Sequence, residues 1–371
     1  MAKKNKSAVS DAWYTEPGAN QDVVVSSCST LRRNLANFPF PSKLHEAEAD
    51  RIQSIMFDAF NFLPDAAEYQ AVSLEKLDSV GRKIMHERSI LENTQVSKGG
   101  IIMRNDGKFA CTINTDDHVV MSFFKSGLAL DDTTGRAYDI DAELQKHVQY
   151  AASYDFGYLT NFVLNSGSGL ALSAILHLPA CSLLQEVGTL AQKLLEDGFD
   201  LRARYGSGGF DNVSGYGSRG SALGAYYRLT SKSSAGGTEL EQLASMRVAV
   251  QEVVKAELSA RKKCRSARVT EIANYTYRSL ALAKSSFFIN LKESVDIISG
   301  VKFGADVGIL DGIEDTELHA LLYRVQEGHL EYVLNTGKFK FEKDIQDNKA
   351  KQIERLRALI LQESFEGIEK P

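Results

Sequence analysis

The sequence predicts an α+β fold followed by an all-helical segment, and three observations carry that reading. Strand-like and helix-like runs alternate through the first 265 residues. A basic run at Arg261–Arg268, RKKCRSAR, then marks a boundary. Beyond it strand patterns nearly vanish, and residues 269–371 read as helix after helix. A length of 371 residues suits two or three domains at roughly 100–200 residues each. The expected organisation is a flexible N-terminal arm over 1–21, a sheet-bearing domain over 22–265 and a helical domain over 266–371.

The elements follow in order. Asp22–Val25 reads as a buried strand, and FPFPS at Phe38–Ser42 as a turn. Glu46–Leu63 places Ile52, Ile55, Met56 and Ala59 at helical spacing. Gly99–Phe124 holds two strand-like runs, KFACTIN and HVVMSFF. Asp139–Tyr154 is expected as a helix with Leu144, Val148 and Ala151 on one face. The apolar run after Leu170 is expected as a core helix. Leu183, Val187, Leu190 and Leu194 form a further stripe, ended by Gly198. AYYRLTS reads as a strand. Thr238 and Glu241 make a capping box ahead of a long helix marked by Leu243, Met246, Val250 and Val253. Helices are then expected at Tyr275–Lys284, Leu291–Ile298, Thr316–Gln326 and Ile345–Glu363.

Composition excludes several classes. Apolar residues are 43% and charged residues 25%, as in an ordinary globular protein. Lys plus Arg number 43 against 48 Asp plus Glu, a net charge of -5, which argues against a generic nucleic-acid binder. Cys28, Cys111, Cys181 and Cys264 form no CxxC pair, so neither a disulfide scaffold nor a Cys-rich zinc site is expected. The N-terminus lacks the apolar stretch of a signal peptide. Leu170–Leu184 is too short to span a bilayer. A cytoplasmic protein with no membrane partner is expected.

Three motifs could carry chemistry. Gly215–Gly220 is a literal G-x-G-x-x-G, but a Gly/Ser loop precedes it and a strand follows, so the dinucleotide reading is rejected in favour of a mobile loop. Leu159–Leu170 is a small-residue loop that could cradle an anion if a helix follows, with a tight loop as the plainer reading. Asn114–His118 offers Asp116, Asp117 and His118 as acid/base groups or metal ligands, with a strand-end turn preferred. No HExxH, spaced Cys/His quartet or GxSxG occurs, and no metal site is expected.

Together the segments VVVSSCSTLRRNLANFPFP, ERSI, NTDDHVV, AYDIDAEL, FGYLTN, NSGSGLALS, HLP and LRARYGSG resemble the bacterial protein-arginine kinases, within the phosphagen-kinase (ATP:guanidino phosphotransferase) superfamily. The resemblance covers nearly the whole chain, continuing through YRSLALA and KESVDIISGVKFGADVGIL. It implies an antiparallel sheet flanked by helices, a helical C-terminal domain that mediates homodimerisation, and phosphoryl transfer from Mg-ATP to a guanidinium. It also implies a zinc-containing activator and Clp unfoldase machinery as partners. Such transfer depends on positioning and on a cage of arginines and Mg²⁺ around a polyanion. Arginine suits the task because its planar fork pairs oxygens bidentately.

Where the resemblance places chemistry, this sequence departs from it. The two arginines of S-S-R-x-R are replaced by Cys28 and Thr30. In N-E-E-D-H-L-R the arginine becomes Val120 and a glutamate becomes Asp116. In C-P-T-N-x-G-T-G-L-R the cysteine is Phe162 and the arginine is Ala171. In R-G-x-Y-G-E-G the arginine survives as Arg202, while the second carboxylate is Ser207. The phosphoarginine-binding R-D-x-x-R-A falls on Gln346–Lys351, without either arginine.

The retained remnants are thus Asp116 and Arg202, and no catalytic residue is assigned with assurance. A charged hydrogen bond contributes about 1.5–3 kcal/mol, so four lost arginines forfeit on the order of 6–12 kcal/mol. The expectation is a pseudokinase acting as a scaffold or regulatory dimer with no cofactor. The first alternative is a weakly active kinase with relocated charges at Arg32, Arg204 and Arg219, which would need Mg-ATP. Arg32 shares the strand face of positions 28 and 30, about 7 Å along. The second alternative is a binder of a non-nucleotide ligand in the old cleft.

Overall fold

The computed structural model describes residues 12–92, 96, 98–205 and 222–368. Its strands are β1 (Val24–Arg33), β2 (Tyr69–Ser73), β3 (Gly100–Arg104), β4 (Phe109–Ile113), β5 (Val119–Ser126), β6 (Ala152–Ser153), β7 (Gly157–Tyr158), β8 (Leu170–His177), β9 (Phe199–Ala203) and β10 (Tyr226–Ser231). Eight of them pair antiparallel in the order β2-β3-β4-β5-β1-β8-β10-β9, and β6 pairs with β7 as a small hairpin. The helices are α1 (Glu46–Asn61), α2 (Ser79–Glu87), α3 (Leu130–Leu144), α4 (Pro179–Leu183), α5 (Val187–Glu196), α6 (Glu239–Ala267), α7 (Val269–Ser285), α8 (Leu291–Asp306), α9 (Asp315–Arg324), α10 (Glu327–Thr336) and α11 (Lys349–Ser364). This is the antiparallel sheet flanked by helices, followed by a helical region, that the sequence predicts.

The period-two alternation of strands sorts the sheet into two unlike faces. Leu31, Met121, Phe123, Leu172, Ala174 and Leu229 join one core with Ile52 and Met56 of α1, Ala137 of α3 and Met246, Val250 and Val253 of α6. Ser29 and Arg33 point the same way: the Ser29 hydroxyl meets those of Thr133 and Thr134 in α3 at 2.7 and 2.9 Å. The opposite face carries Cys28, Thr30, Arg32, Val120, Ser122, Ala171 and Ser173. One end of it is covered. Val25, Ile175 and Tyr226 pack with Leu280, Val295, Ile298 and Leu321 of the C-terminal helices.

Several expectations need correction. Leu170–His177 is a central strand, not a core helix; the core covers one face along its length and the C-terminal helices cover the Ile175 and His177 end of the other, so its apolar run shows little alternation. The small-residue loop therefore feeds no helix, and the anion cradle falls away. The helix expected over 139–154 runs instead over Leu130–Leu144; Val148 and Tyr150 are buried beyond its end. Gly99–Phe124 yields three strands, β3 to β5, rather than two. Residues 12–21, expected within a flexible arm, are packed. Trp13 stacks on Phe124 with ring centroids 5.8 Å apart, and Tyr14 stacks on Tyr323 of α9 at 4.4 Å. The Gly-rich loop, with Ser207 and Arg219, lies outside the described residues.

The helical region is joined to the sheet by charge as well as apolar packing. Lys302 of α8 is fully buried and pairs with Asp306 at 3.1 Å and with Asp315 of α9. Arg261 of α6 reaches Asp306 at 3.2 Å, Glu257 at 2.9 Å and Asp22 at 3.3 Å. His177 of β8 bonds the Ser299 hydroxyl of α8 at 2.8 Å. Glu87 of α2 accepts from the Gly328 and His329 amides at the start of α10. Most apolar faces of the C-terminal region, including Ile289, Leu318, Leu321, Leu322, Leu330, Ile353 and Leu356, are buried within the chain. Phe287, Tyr332, Phe339 and Leu359 remain exposed.

This packing makes the protein acid-sensitive. Burial lowers the pKa of His118 and, more strongly, of His177; it brings His329 to about 4 and His319 to about 3. Below pH 6.5 the unfolded chain therefore binds more protons than the native one, and stability falls as pH drops. Asp306 opposes this, since burial raises its carboxyl to about 6 and adds stability as pH falls through that value. Burial also raises the carboxyls of Glu87 and Asp296, which act in the same direction as Asp306, but the four histidines, two of them brought to about 3 and about 4, carry the larger combined shift. The urea midpoint is expected to fall steadily from pH 6.5 to pH 4, with His319 alone contributing on the order of 3 kcal/mol. His319→Leu should flatten that slope; a wild-type midpoint that stays level would contradict the assignment.

Candidate functional site

The site is built on the open sheet face where β5, β1 and β8 run side by side. β1 alternation brings Cys28, Thr30 and Arg32 to this face, and the register supplies their neighbours. Cys28 lies between Phe124 and Ser173, Thr30 between Ser122 and Ala171, and Arg32 opposite Val120. Cys28, Thr30, Val120 and Ala171 therefore converge on one patch of three adjacent strands. The patch is neutral. The Thr30 and Ser122 hydroxyls meet at 3.0 Å, and the Cys28 thiol lies 3.7 Å from the Thr30 hydroxyl. Burial raises the Cys28 pKa, which keeps it a thiol at neutral pH.

Arg32, the first of the relocated charges, is already engaged. Its guanidinium lies 3.4 Å from an Asp116 oxygen and 3.8 Å from an Asp117 oxygen. One cation faces two carboxylates, so this end of the patch is not electropositive. Asp117 is fully buried and also accepts from the Asn34 side chain and the Asn161 amide, both at 2.7 Å. His118 Nδ1 accepts from the Leu35 amide and its Nε2 donates to the Pro39 carbonyl. Both ring nitrogens are occupied, so His118 is a structural clamp rather than a proton shuttle. The Asn114–His118 run is a turn that organises the strand end, with Asp116 its exposed carboxylate.

The remaining positions scatter. Arg202 is exposed on β9 and pairs with Asp200 at 2.5 Å. It lies three strands from β1, about 14 Å at the usual strand spacing. Arg204 is buried and donates to the Ser89 hydroxyl at 2.8 Å and the Glu87 carbonyl at 3.4 Å, tying the end of β9 to α2. Phe162 is exposed in the short turn at Val163–Asn165. Ser207 and Arg219 lie outside the described residues. In the C-terminal region Asn348 caps α11, and Lys349 and Lys351 pair with Glu331 and Glu354. Among the described residues no group of three or more His, Cys, Asp or Glu could hold a metal ion, and no helix is long and apolar enough to cross a membrane.

Sequence reasoning missed Arg228. It stands on β10 opposite Ile175 and Arg202, on the face of Ser173 and Thr230. It forms no hydrogen bond or ion pair with the described residues. Burial, and then the nearby Arg204, lower its pKa. The signal was present in AYYRLTS, where the arginine alternates with Tyr227 and Leu229, but its placement needs the β8–β10 register.

Arg33 adjoins this face without belonging to it. It is fully buried on the α3 side, not at a surface. It forms a two-pronged pair with Asp141 at 2.8 and 3.1 Å and donates to the Arg32 and Ser168 carbonyls, both at 2.9 Å. Its guanidinium also stacks 3.6 Å from the Tyr158 ring centre. Four of its five donor hydrogens are used and its charge is paired, so Arg33 is structural.

Comparison with known proteins places these features. Residues 51–260 match the family described as ATP:guanido phosphotransferase, C-terminal catalytic domain, and residues 269–371 match protein-arginine kinase McsB C-terminal domain. The protein-arginine kinase of Syntrophomonas wolfei is 27% identical over 327 residues, covering 86% of this chain and 88% of that protein. That of Clostridium novyi is 27% identical over 361 residues, covering 96% and 99%. Among solved structures, the duplicated taurocyamine kinase of Schistosoma mansoni superposes with a TM-score of 0.56 at 20% identity. That match covers 71% of this chain but only 39% of the duplicated one. A lombricine kinase gives 0.54 at 16% identity, covering 65% and 68%. At such identities the structural likeness speaks for the fold.

The contrast between the two neighbouring arginines can be measured. Asp141→Asn leaves the buried Arg33 charge without its counter-ion and should cost about 3–5 kcal/mol by urea denaturation. Asp116→Asn, at the half-exposed Arg32 pair, should cost under about 1 kcal/mol. Equal costs would place both pairs in the same structural class.

Proposed function

Since the chain belongs to the protein-arginine kinase family of ATP:guanido phosphotransferases, we propose that it keeps that fold while having given up phosphoryl transfer, and that it acts through its surfaces as a scaffold or regulatory pseudokinase. One observation carries the reading. The four positions where the resemblance expects arginines lie together on β1, β5 and β8 and hold a thiol, a hydroxyl and two apolar side chains. A triphosphate brought there would lose its water and meet none of the four expected arginines; the unpaired cation of this face, Arg228, stands on β10, two strands from β1. Removing a single preorganised charge-stabilising donor costs roughly 10²–10³ in rate. These losses are not additive, but they act in one direction.

The relocated cage is not favoured. Arg32 is held by Asp116 and Asp117, and Arg204 is held against α2. Arg228 has Arg204 near it and no ion-pair partner among the described residues, and a single such cation does not rebuild a cage for a polyphosphate. No Mg-ATP requirement is therefore proposed. Isothermal titration with Mg-ATP should show no saturable binding at micromolar concentrations. Mass spectrometry after incubation with Mg-ATP and a protein substrate should find no phosphoarginine. A micromolar dissociation constant, or phosphoarginine in the product, would overturn the reading.

The same reading includes a homodimer formed through the C-terminal helices. Its support is the family and the apolar side chains left uncovered there. Val333, Phe339, Leu356, Leu359 and Ile360 line an open groove of about 760 Å³ on α10 and α11 and the segment between them. A two-fold contact would cover the groove twice. Light scattering of the full chain should give a dimer mass, and Phe339→Glu with Leu359→Glu should give a monomer. A monomeric wild type would refute the dimer without touching the loss of transfer chemistry.

A further inference from the structure

An uncovered apolar surface lies away from the open sheet face. Between Tyr154 and Leu164, five large apolar side chains project into solvent: Tyr154 is 104% exposed, Phe156 68%, Phe162 54%, Val163 83% and Leu164 65%. Isolated exposed apolar residues are ordinary, whereas a contiguous group is a mark of interaction. These are contiguous in space as well as sequence. Phe156 of the β6–β7 hairpin and Val163 of the following turn line the same open cavity of about 470 Å³. The turn is held firmly: the Ser234 amide donates to the Leu164 carbonyl at 2.9 Å, and the Gly167 amide to the Tyr158 carbonyl at 3.1 Å. The projecting side chains thus stand on a fixed base.

The charge of the cavity is one-signed. Its lining includes Asp155 and Glu239 and no lysine or arginine. Neither carboxylate forms an ion pair or side-chain hydrogen bond among the described residues. Glu239 opens α6, whose first amides are already satisfied by the Thr238–Glu241 capping box, so that helix end does not call for an anion. Two aromatic rings, Phe156 and Tyr158, share the cavity with the two carboxylates. Carboxylates beside aromatic faces attract a cation by both charge and ring quadrupole. Tyr158 and Glu239 also fix the side of the sheet. Arg33, buried towards α3, stacks on Tyr158, and Glu239 begins α6. The cavity therefore lies toward the α3/α6 side of the strand ends, while the turn that carries its rim is tied through the Asn161 amide to Asp117 beside Arg32.

We propose that this acid-lined cavity and its apolar rim dock an extended segment of a partner protein in which a basic side chain is flanked by apolar ones. The ammonium enters between Asp155, Glu239 and the aromatic rings, and the flanking side chains cover Phe156, Val163 and Leu164. The proposal rests on the reading that the chain works through its surfaces, and it names one such surface and its partner's chemistry.

The test uses the full chain and a fluorescein-labelled peptide, Gly-Leu-Val-Lys-Phe-Leu-Ser-Gly, followed by fluorescence anisotropy. A counterpart peptide has glutamate in place of lysine. The lysine peptide should bind saturably and the glutamate peptide about tenfold more weakly or worse. Asp155→Asn with Glu239→Gln should weaken the lysine peptide about tenfold and leave the glutamate peptide unchanged or stronger. Val163→Asp with Leu164→Asp should abolish binding while circular dichroism stays native. Equal affinity for both peptides, or no saturable binding, would overturn the proposal. So would a change of oligomeric mass in Val163→Asp/Leu164→Asp, which would assign the surface to a second copy of the chain. Failure here is separable from failure of the pseudokinase reading, because the titration contains no nucleotide: Mg-ATP binding alongside lysine-selective docking would remove the latter reading only.

Discussion

The buried pair of Arg33 and Asp141 is the constraint on which the rest of the site depends. It anchors the last residue of β1 to α3 from the side of the core, with a guanidinium that also grips two carbonyls and a tyrosine ring. Since successive strand residues point to opposite faces, fixing Arg33 inward fixes Arg32 outward, together with Thr30 and Cys28. A slip of one residue would bury Arg32 against α3 and expose Leu31. The register of β5 and β8 on β1 then determines what shares the open face. Structural charge on one side of the strand thus sets which residues share the patch on the other.

That division sets which positions of β1 the core constrains. Leu31, Ser29 and Arg33 answer to the core, where a change in volume or an unpaired charge is expensive. Thr30, Val120 and Ala171 face away from that core, and Cys28 joins the smaller cluster that holds Trp13, Tyr14 and Phe124. Neutral residues there form a lateral ladder, with the Thr30 and Ser122 hydroxyls bonded to each other, and the sheet closes normally. A large guanidinium on this face needs an anion; a threonine beside a serine does not. Asp116 and Asp117 turn their charge onto Arg32 at this end of the strand.

Much of this was legible in the chain. Apolar spacing placed α1, α5 and α6, and the Thr238–Glu241 capping box forms as the sequence suggests. Alternation alone put Arg32 on the face of positions 28 and 30. The failures share a physical cause, which is burial from two sides. β8 reads like a helix because core helices cover one face and C-terminal helices one end of the other, weakening its alternation. Trp13 and Tyr14 look like part of a loose arm because their partners, Phe124 and Tyr323, are distant in sequence. Arg228 needed the register of two other strands before its face could be known. α3 was displaced because Val148 and Tyr150 are buried in irregular chain, where helical spacing has no meaning.

The charged joint between α6, α8 and α9 bears on modularity. The helical third is recognisable by its own sequence signature, as though it were a cassette. Yet Lys302, with no exposed surface, finds one carboxylate on its own helix and another on α9, while Asp306 also depends on Arg261 from α6 and Arg261 on Asp22 just before β1. Transplanted onto another sheet, the cassette would keep Asp306 with Lys302 as its one remaining cation, and the donor sheet would keep Arg261 with one of its three carboxylates gone. The unit that recombination can move is therefore larger than the unit that sequence comparison outlines: it includes α6 and the first residues of β1.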